Sequence, residues 1–227
     1  MIRTLARMKA PERQTFCVQI CPLLQHQFLD GWLEALGKVP IENQPKIFAI
    51  LQRLPSNWVN AYTLNEISGL DPELCDNVVK KAQSLAGNDS VVFYMYVVAF
   101  VQVPQQDWED LERYGCEASQ CVEKPYNKAD IIFYLAKIRV SDYPTVTAAF
   151  QQLPRVTDSV GNIFMLLYHI KRDERISRAR LTYLSLSPGV SGENVKNKLE
   201  SVCRIPYANV QKLLLTHTQL FQGMGGF

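Results

Sequence analysis

The chain has 227 residues, 47% of them hydrophobic and 20% charged, and 24 basic against 22 acidic side chains leave a formal charge of +2. A chain of this length buries about 70% of its extended surface on folding, which excludes a disordered protein and a peptide-sized scaffold that needs staples. The near-neutral balance excludes a global field for nucleic acid or anionic membrane, so any such binding must be local.

The first ten residues differ in character from the rest. Met1 to Lys9 carries Arg3, Arg7 and Lys9 with no acidic residue before Glu12. At helical spacing Ile2, Leu5 and Ala6 share one side, the basic amphipathic pattern of an organelle import segment. No secretory signal pattern is present.

From Pro11 to Lys38, Phe16, Ile20, Leu23, Leu24, Phe28, Trp32, Leu33 and Leu36 recur at threes and fours, predicting one or two amphipathic helices punctuated at Pro22. Pro45 opens a helix with Ile47, Ile50, Leu51 and Leu54 on one face, closed by Pro55. A short helix over 63–68 and a longer one over 71–85 follow. The apolar run Val91 to Val103 is too short for a membrane span, which needs roughly twenty residues. It reads as a buried helix, with a strand as the fallback.

Pro104 opens an acidic helix start at Asp107, Glu109 and Asp110. Residues 115–126 read as a linker. Beyond them the periodicity predicts helices at 127–139, 142–153, 157–171, 174–186, 191–203 and 206–221, the last with Val210, Leu213, Leu214, His217, Leu220 and Phe221 on its apolar side. The organisation is therefore a segment 1–10, a helical half 11–114, the linker and a helical half 127–227. The fold class is all-α, an irregular multi-helix bundle or a helical-repeat-like array, with a winged-helix-like substructure at 41–103. Two self-similarities, around Leu54-Pro55 and Leu153-Pro154 and around Asp76 and Glu193, have offsets of 99 and 117 residues. Offsets that disagree do not make a strict solenoid repeat.

Residues 62–82 resemble a helix-turn-helix unit, with Leu64 and Ile67 packing the first helix, Gly69 at the turn and Leu70, Leu74 and Val78 anchoring the second. That second helix would offer Glu73, Asp76 and Asn77 near its start, with Lys80 and Lys81 only at its end, and the two carboxylates repel phosphate. A basic run supplies Lys171, Arg172, Arg175, Arg178 and Arg180 as candidate phosphate or RNA contacts.

Of the six cysteines, Cys17, Cys21, Cys116 and Cys121 admit a four-thiolate zinc site or two disulfides. Cys17, Ile20 and Leu24 read instead as one apolar stripe, favouring buried free thiols and no metal. His26, His169 and His217 are scattered, the last two within apolar helical faces, and Cys21 and His26 on one helix are turned apart by about 140°. No phosphate loop, nucleophile elbow or paired-histidine helix is present.

These observations point away from an enzyme and from any cofactor. The expected function is a non-catalytic structural or adaptor subunit of a larger assembly, such as an accessory subunit of a mitochondrial complex, with other protein subunits as partners. Phe221 and Leu220 are the expected partner contacts. The alternative is a nucleic-acid-binding regulator using residues 62–82; the alternative compartment is the cytoplasm.

Overall fold

A computed structural model describes residues 9–20, 35–55, 58, 60–120, 125–156, 158–187 and 189–224. The described residues form an all-α fold of twelve α-helices with no strand. In chain order these are α1 (Ala10–Ile20), α2 (Gln44–Gln52), α3 (Ala61–Ile67), α4 (Pro72–Ala86), α5 (Ser90–Gln102), α6 (Trp108–Ser119), α7 (Pro125–Leu135), α8 (Tyr143–Phe150), α9 (Val160–His169), α10 (Arg175–Leu184), α11 (Gly192–Cys203) and α12 (Tyr207–Met224). The import-like segment Met1 to Lys9 lies, except for Lys9, outside the described residues. Among the described residues no helix is long and apolar enough to cross a membrane.

The chain divides into two compact units, Met1–Pro104 and Gln105–Phe227. The division expected at 115–126 is corrected on this point: residues 115–119 complete α6. The physical reason is packing. A Cβ on buried Gly115 would come within 2.3 Å of Ile132 Cγ1, so this glycine lets α6 and α7 approach closely and is not a linker glycine.

Both units are built on one short repeat. Val39, Leu70, Val103, Ile138, Ile170 and Ile205 each follow a helix or its last turn, and they are spaced by 31, 33, 35, 32 and 35 residues. Five of these six hinge residues are followed by a residue whose carbonyl accepts from the start of the next helix: Asn43 N–H donates to Pro40 O at 2.9 Å, Cys75 to Asp71 at 2.8 Å, Asp142 to Arg139 at 2.8 Å, Glu174 to Lys171 at 2.9 Å and Asn209 to Pro206 at 2.9 Å. Five residues after each hinge comes a buried side chain, namely Gln44, Cys75, Trp108, Tyr143, Arg175 and Val210. Three further on, Ile47, Val78, Leu111, Val146 and Arg178 are buried as well. This spacing follows from the helix period, which returns a side chain to one face every three or four residues.

The first helices are α2, α4, α6, α8, α10 and α12 and the second helices α3, α5, α7, α9 and α11; from α4 onward each first helix packs on the second helix that follows it as a hairpin. In unit 2 the first helices α6, α8, α10 and α12 pack in a row, the second helices α7, α9 and α11 in another, and α6–α7, α8–α9 and α10–α11 join the layers. In unit 1, α2 packs on α4, α3 on α5 and α4 on α5. This corrects the reading of the self-similarity. The 99-residue offset is three repeats, whereas the 117-residue offset matches Asp76 on a first helix with Glu193 on a second and is out of register.

Side-chain caps start several helices: Asn60 Oδ1 accepts from Thr63 N–H at 2.9 Å, Asp71 Oδ1 from Glu73 N–H at 2.9 Å and Asp89 Oδ1 from Val91 N–H at 2.8 Å. The apolar run is α5, a helix buried nearly all round through Phe93, Val97 and Phe100. The winged-helix expectation for 41–103 is thereby corrected. Its wing hairpin would fall in 90–103, and that segment spends its backbone hydrogen bonds within a helix.

Candidate functional site

The hinge beginning at Ile170 departs from the others, because the two core positions after it hold arginines. Arg175 and Arg178 are 4% and 7% exposed. Arg175 donates through Nε to Ile170 O at 3.1 Å, through Nη1 to Asp142 at 2.6 Å and Thr145 at 2.7 Å, and through Nη2 to Tyr168 O at 2.8 Å. Arg178 donates through Nε to Glu174 at 2.8 Å and through Nη1 to Val202 O at 2.6 Å and Ile205 O at 3.0 Å; its Nη2 lies 2.6 Å from the same carboxylate.

The carbonyls at the C-terminal ends of α9 and α11 have no intrahelical partner, and the two guanidinium forks satisfy them while opposing the negative end of each helix dipole. A carboxylate beside each fork neutralises it, as a buried ion requires. Gln44 does the same without charge, donating from Nε2 to Val39 O at 3.1 Å at the equivalent position.

The five residues expected at phosphate are thus divided. Arg175 and Arg178 join neighbouring repeats, a correction that follows from their burial and nearly saturated donors. Lys171, Arg172 and Arg180 are exposed. Arg172 donates to Ser141 O at 3.0 Å on the preceding hinge. Arg180 stands on the outer face of α10, away from the hinge. A surface cavity of about 650 Å³ opens between the last two hinges, with His169, Lys171, Cys203, Arg204 and Tyr207 in its lining.

The helix-turn-helix segment is α3 and α4, with Leu64, Ile67 and Val78 buried as the spacing predicts. Asp76 on α4 is bound by Arg53 and, at 2.7 Å, by Lys80. Lys80 and Arg53 together hold its carboxyl below the usual aspartate value. Glu73 is exposed beside it, so the start of α4 presents carboxylates.

The cysteines differ from the apolar-stripe expectation. Cys17 and Cys116 are exposed, Cys203 is half-buried and Cys75 is buried, all as free thiols. Burial pushes the Cys75 thiol up to about 12 and also raises that of Cys203. Cys21, Cys121 and His26 lie outside the described residues, and among the described residues no three His, Cys, Asp or Glu side chains gather where a metal could sit. His169 is exposed, which corrects its placement on an apolar face; His217 is half-buried.

On α12, Val210 packs with Leu181 and Val202, and Ile205, Tyr207 and Leu214 lie against them. Leu213, expected inside, is 47% exposed. The positions equivalent to it in the earlier repeats are interior ones. The side chains of Leu220 and Phe221 lie outside the described residues. A second cavity, of about 560 Å³, is lined by Leu153, Pro154, Arg155, Tyr183, Leu186 and His217.

Comparison with protein-family models, curated proteins and solved structures gives no match for this chain.

Proposed function

We propose that this protein is a helical-repeat adaptor, a non-catalytic subunit that acts by surface contact within a larger protein assembly. The observation that carries the reading is the outer face of the last two first helices. On α10, Ile176 and Tyr183 are 45% and 50% exposed and share a face at helical spacing; on the adjacent α12, Leu215 is 64% exposed on the side away from Val210, and Leu213, 47% exposed, flanks the packed side. Large apolar side chains concentrated on neighbouring helices favour burial against a partner. Tyrosine is also a preferred anchor at interface centres. The basic amphipathic segment Met1 to Lys9 supports a mitochondrial compartment.

The test is a triple substitution, Ile176→Ser, Tyr183→Ser and Leu215→Ser, in the full chain. The expected result is an isolated protein that keeps its helical dichroism and melts within a few degrees of the parent, yet no longer migrates in a high-mass complex from its native source. A parent that migrates only as a free monomer, or that turns over a substrate at an ordinary enzymatic rate, overturns the reading.

A further inference from the structure

The repeat brings basic side chains together in unit 2 that are dispersed along the sequence. Lys137, His169 and Arg204 immediately precede the hinge residues Ile138, Ile170 and Ile205; Arg139 and Lys171 immediately follow two of them, and Arg172 comes next. All six are exposed. Hydrogen bonds fix the hinges side by side: Arg172 Nη2 donates to Ser141 O at 3.0 Å, joining the first to the second, and Tyr207 Oη donates to Asp173 O at 3.3 Å, joining the second to the third. The basic residues therefore form a row along one edge of the helix stack.

Within the row Lys137 is engaged, its Nζ lying 3.7 Å from the centre of the Phe133 ring and in the field of Asp130, whereas most carboxylates beside the other cations are themselves paired. Asp142 is occupied by Arg175 and Glu174 by Arg178. Asp173 is the exposed carboxylate within these hinges. The cavity between the second and third hinges carries Lys171 and Arg204 together with the rings of His169 and Tyr207.

We infer that this edge binds the phosphodiester backbone of a single-stranded nucleic acid, with a base entering the cavity against His169 and Tyr207. A linear track of cations beside aromatic rings is the arrangement that single strands require, since the backbone follows the charge and every base has a face to stack. An acidic peptide would use the cations and leave the rings without a role. The row is one hinge wide, which suits one strand and not the two of a duplex. The binding is local and consistent with the small net charge of the whole chain, and it goes beyond the adaptor reading, which rests on the outer face of α10 and α12.

The experiment measures anisotropy of labelled U20 RNA and dT20 DNA with the full chain at several salt concentrations. The probe variant is Arg139→Gln with Lys171→Gln and Arg204→Gln, which leaves Arg172, Arg175 and Arg178 in place. The control is Arg180→Gln on the outer face. The expected result is salt-dependent binding of one or both strands, weakened at least tenfold by the triple variant with a loss of about 2 in the log–log salt slope, as three phosphate contacts on a single strand imply. The control should bind like the parent. Preference between the two oligomers identifies RNA or DNA as the source of the phosphodiester. No binding at low salt, equal binding by parent and triple variant, or equal displacement by polyglutamate would each overturn the inference. A melting curve for the triple variant that matches the parent shows that the loss is one of contact and not of folding.

Discussion

Arg178 on α10 donates through Nη1 to the carbonyl of Val202 at 2.6 Å, so a charged side chain occupies a core position and closes the end of the helix packed beside it. The same nitrogen reaches Ile205 O at 3.0 Å, and Glu174 balances the charge. Removing the guanidinium would leave the largely buried Glu174 carboxylate unpaired and take a charged donor from the carbonyls of Val202 and Ile205, of which Val202 keeps the Ile205 N–H at 3.1 Å. Arg178→Ala should therefore cost about 3–5 kcal/mol of stability, in line with breaking a buried ion pair from one side. Arg180→Ala, two residues on and exposed, should stay within about 0.5 kcal/mol of the parent. Urea titration of both variants checks this; equal midpoints would show that Arg178 does not hold the repeats together.

Close helix approach gives a second expectation. A Cβ on Gly161 would lie 1.9 Å from Tyr134 Cε2, whereas one on Gly69 would meet nothing within 4 Å. Gly161→Ala should destabilise by about 1–3 kcal/mol because α9 must move off α7 or Tyr134 must leave its rotamer. Gly69→Ala should instead gain about 0.4–1 kcal/mol by restricting the unfolded chain. Thermal melts with opposite shifts would bear this out, and a stabilised Gly161→Ala would refute the close contact.

Asp130 on α7 provides a pH test. Burial raises its carboxyl above the usual aspartate value, against the opposing effects of a hydrogen bond from the Gly161 N–H and the charge of Lys137. A carboxyl raised in the folded state binds more protons folded than unfolded. Stability is then greatest below the unfolded value of about 3.9 and declines as pH rises through the folded value. Asp130→Asn keeps the acceptor and removes the titration. The variant should match the parent near pH 3 and exceed it at pH 7 in urea midpoint. A difference that stays constant between those pH values would mean that folding does not raise the Asp130 carboxyl.

The sequence by itself determined most of the helices, the end of α6 at 115–119 excepted. Apolar recurrence at threes and fours placed the six helices after residue 126 within a few residues of their observed ends, and it assigned Val91 to Val103 to a helix although every face was apolar. Caps such as Asn60, Asp71 and Asp89 bind at helix starts, where short polar side chains replace the missing carbonyl partners. The local signals were sufficient because they depend on residues within one turn of each other.

The repeat was decided only by the tertiary structure. Its register is a pattern of burial and hinge hydrogen bonds, and the position five residues after the hinge accepts Gln44, Cys75, Trp108, Tyr143, Arg175 or Val210, which share no composition. What they share is an environment. Arg175 and Arg178 read from sequence as surface cations in a basic run; their burial depends on carbonyls and carboxylates supplied by Asp142, Tyr168, Val202 and Ile205. Leu213 read as core from periodicity, yet periodicity gives a face and not the element that covers it. The hinge row of Lys137 and Arg139, Lys171, and Arg204 is invisible in sequence for the same reason: its three groups are a repeat apart along the chain, and only stacking of the hairpins puts them on one edge.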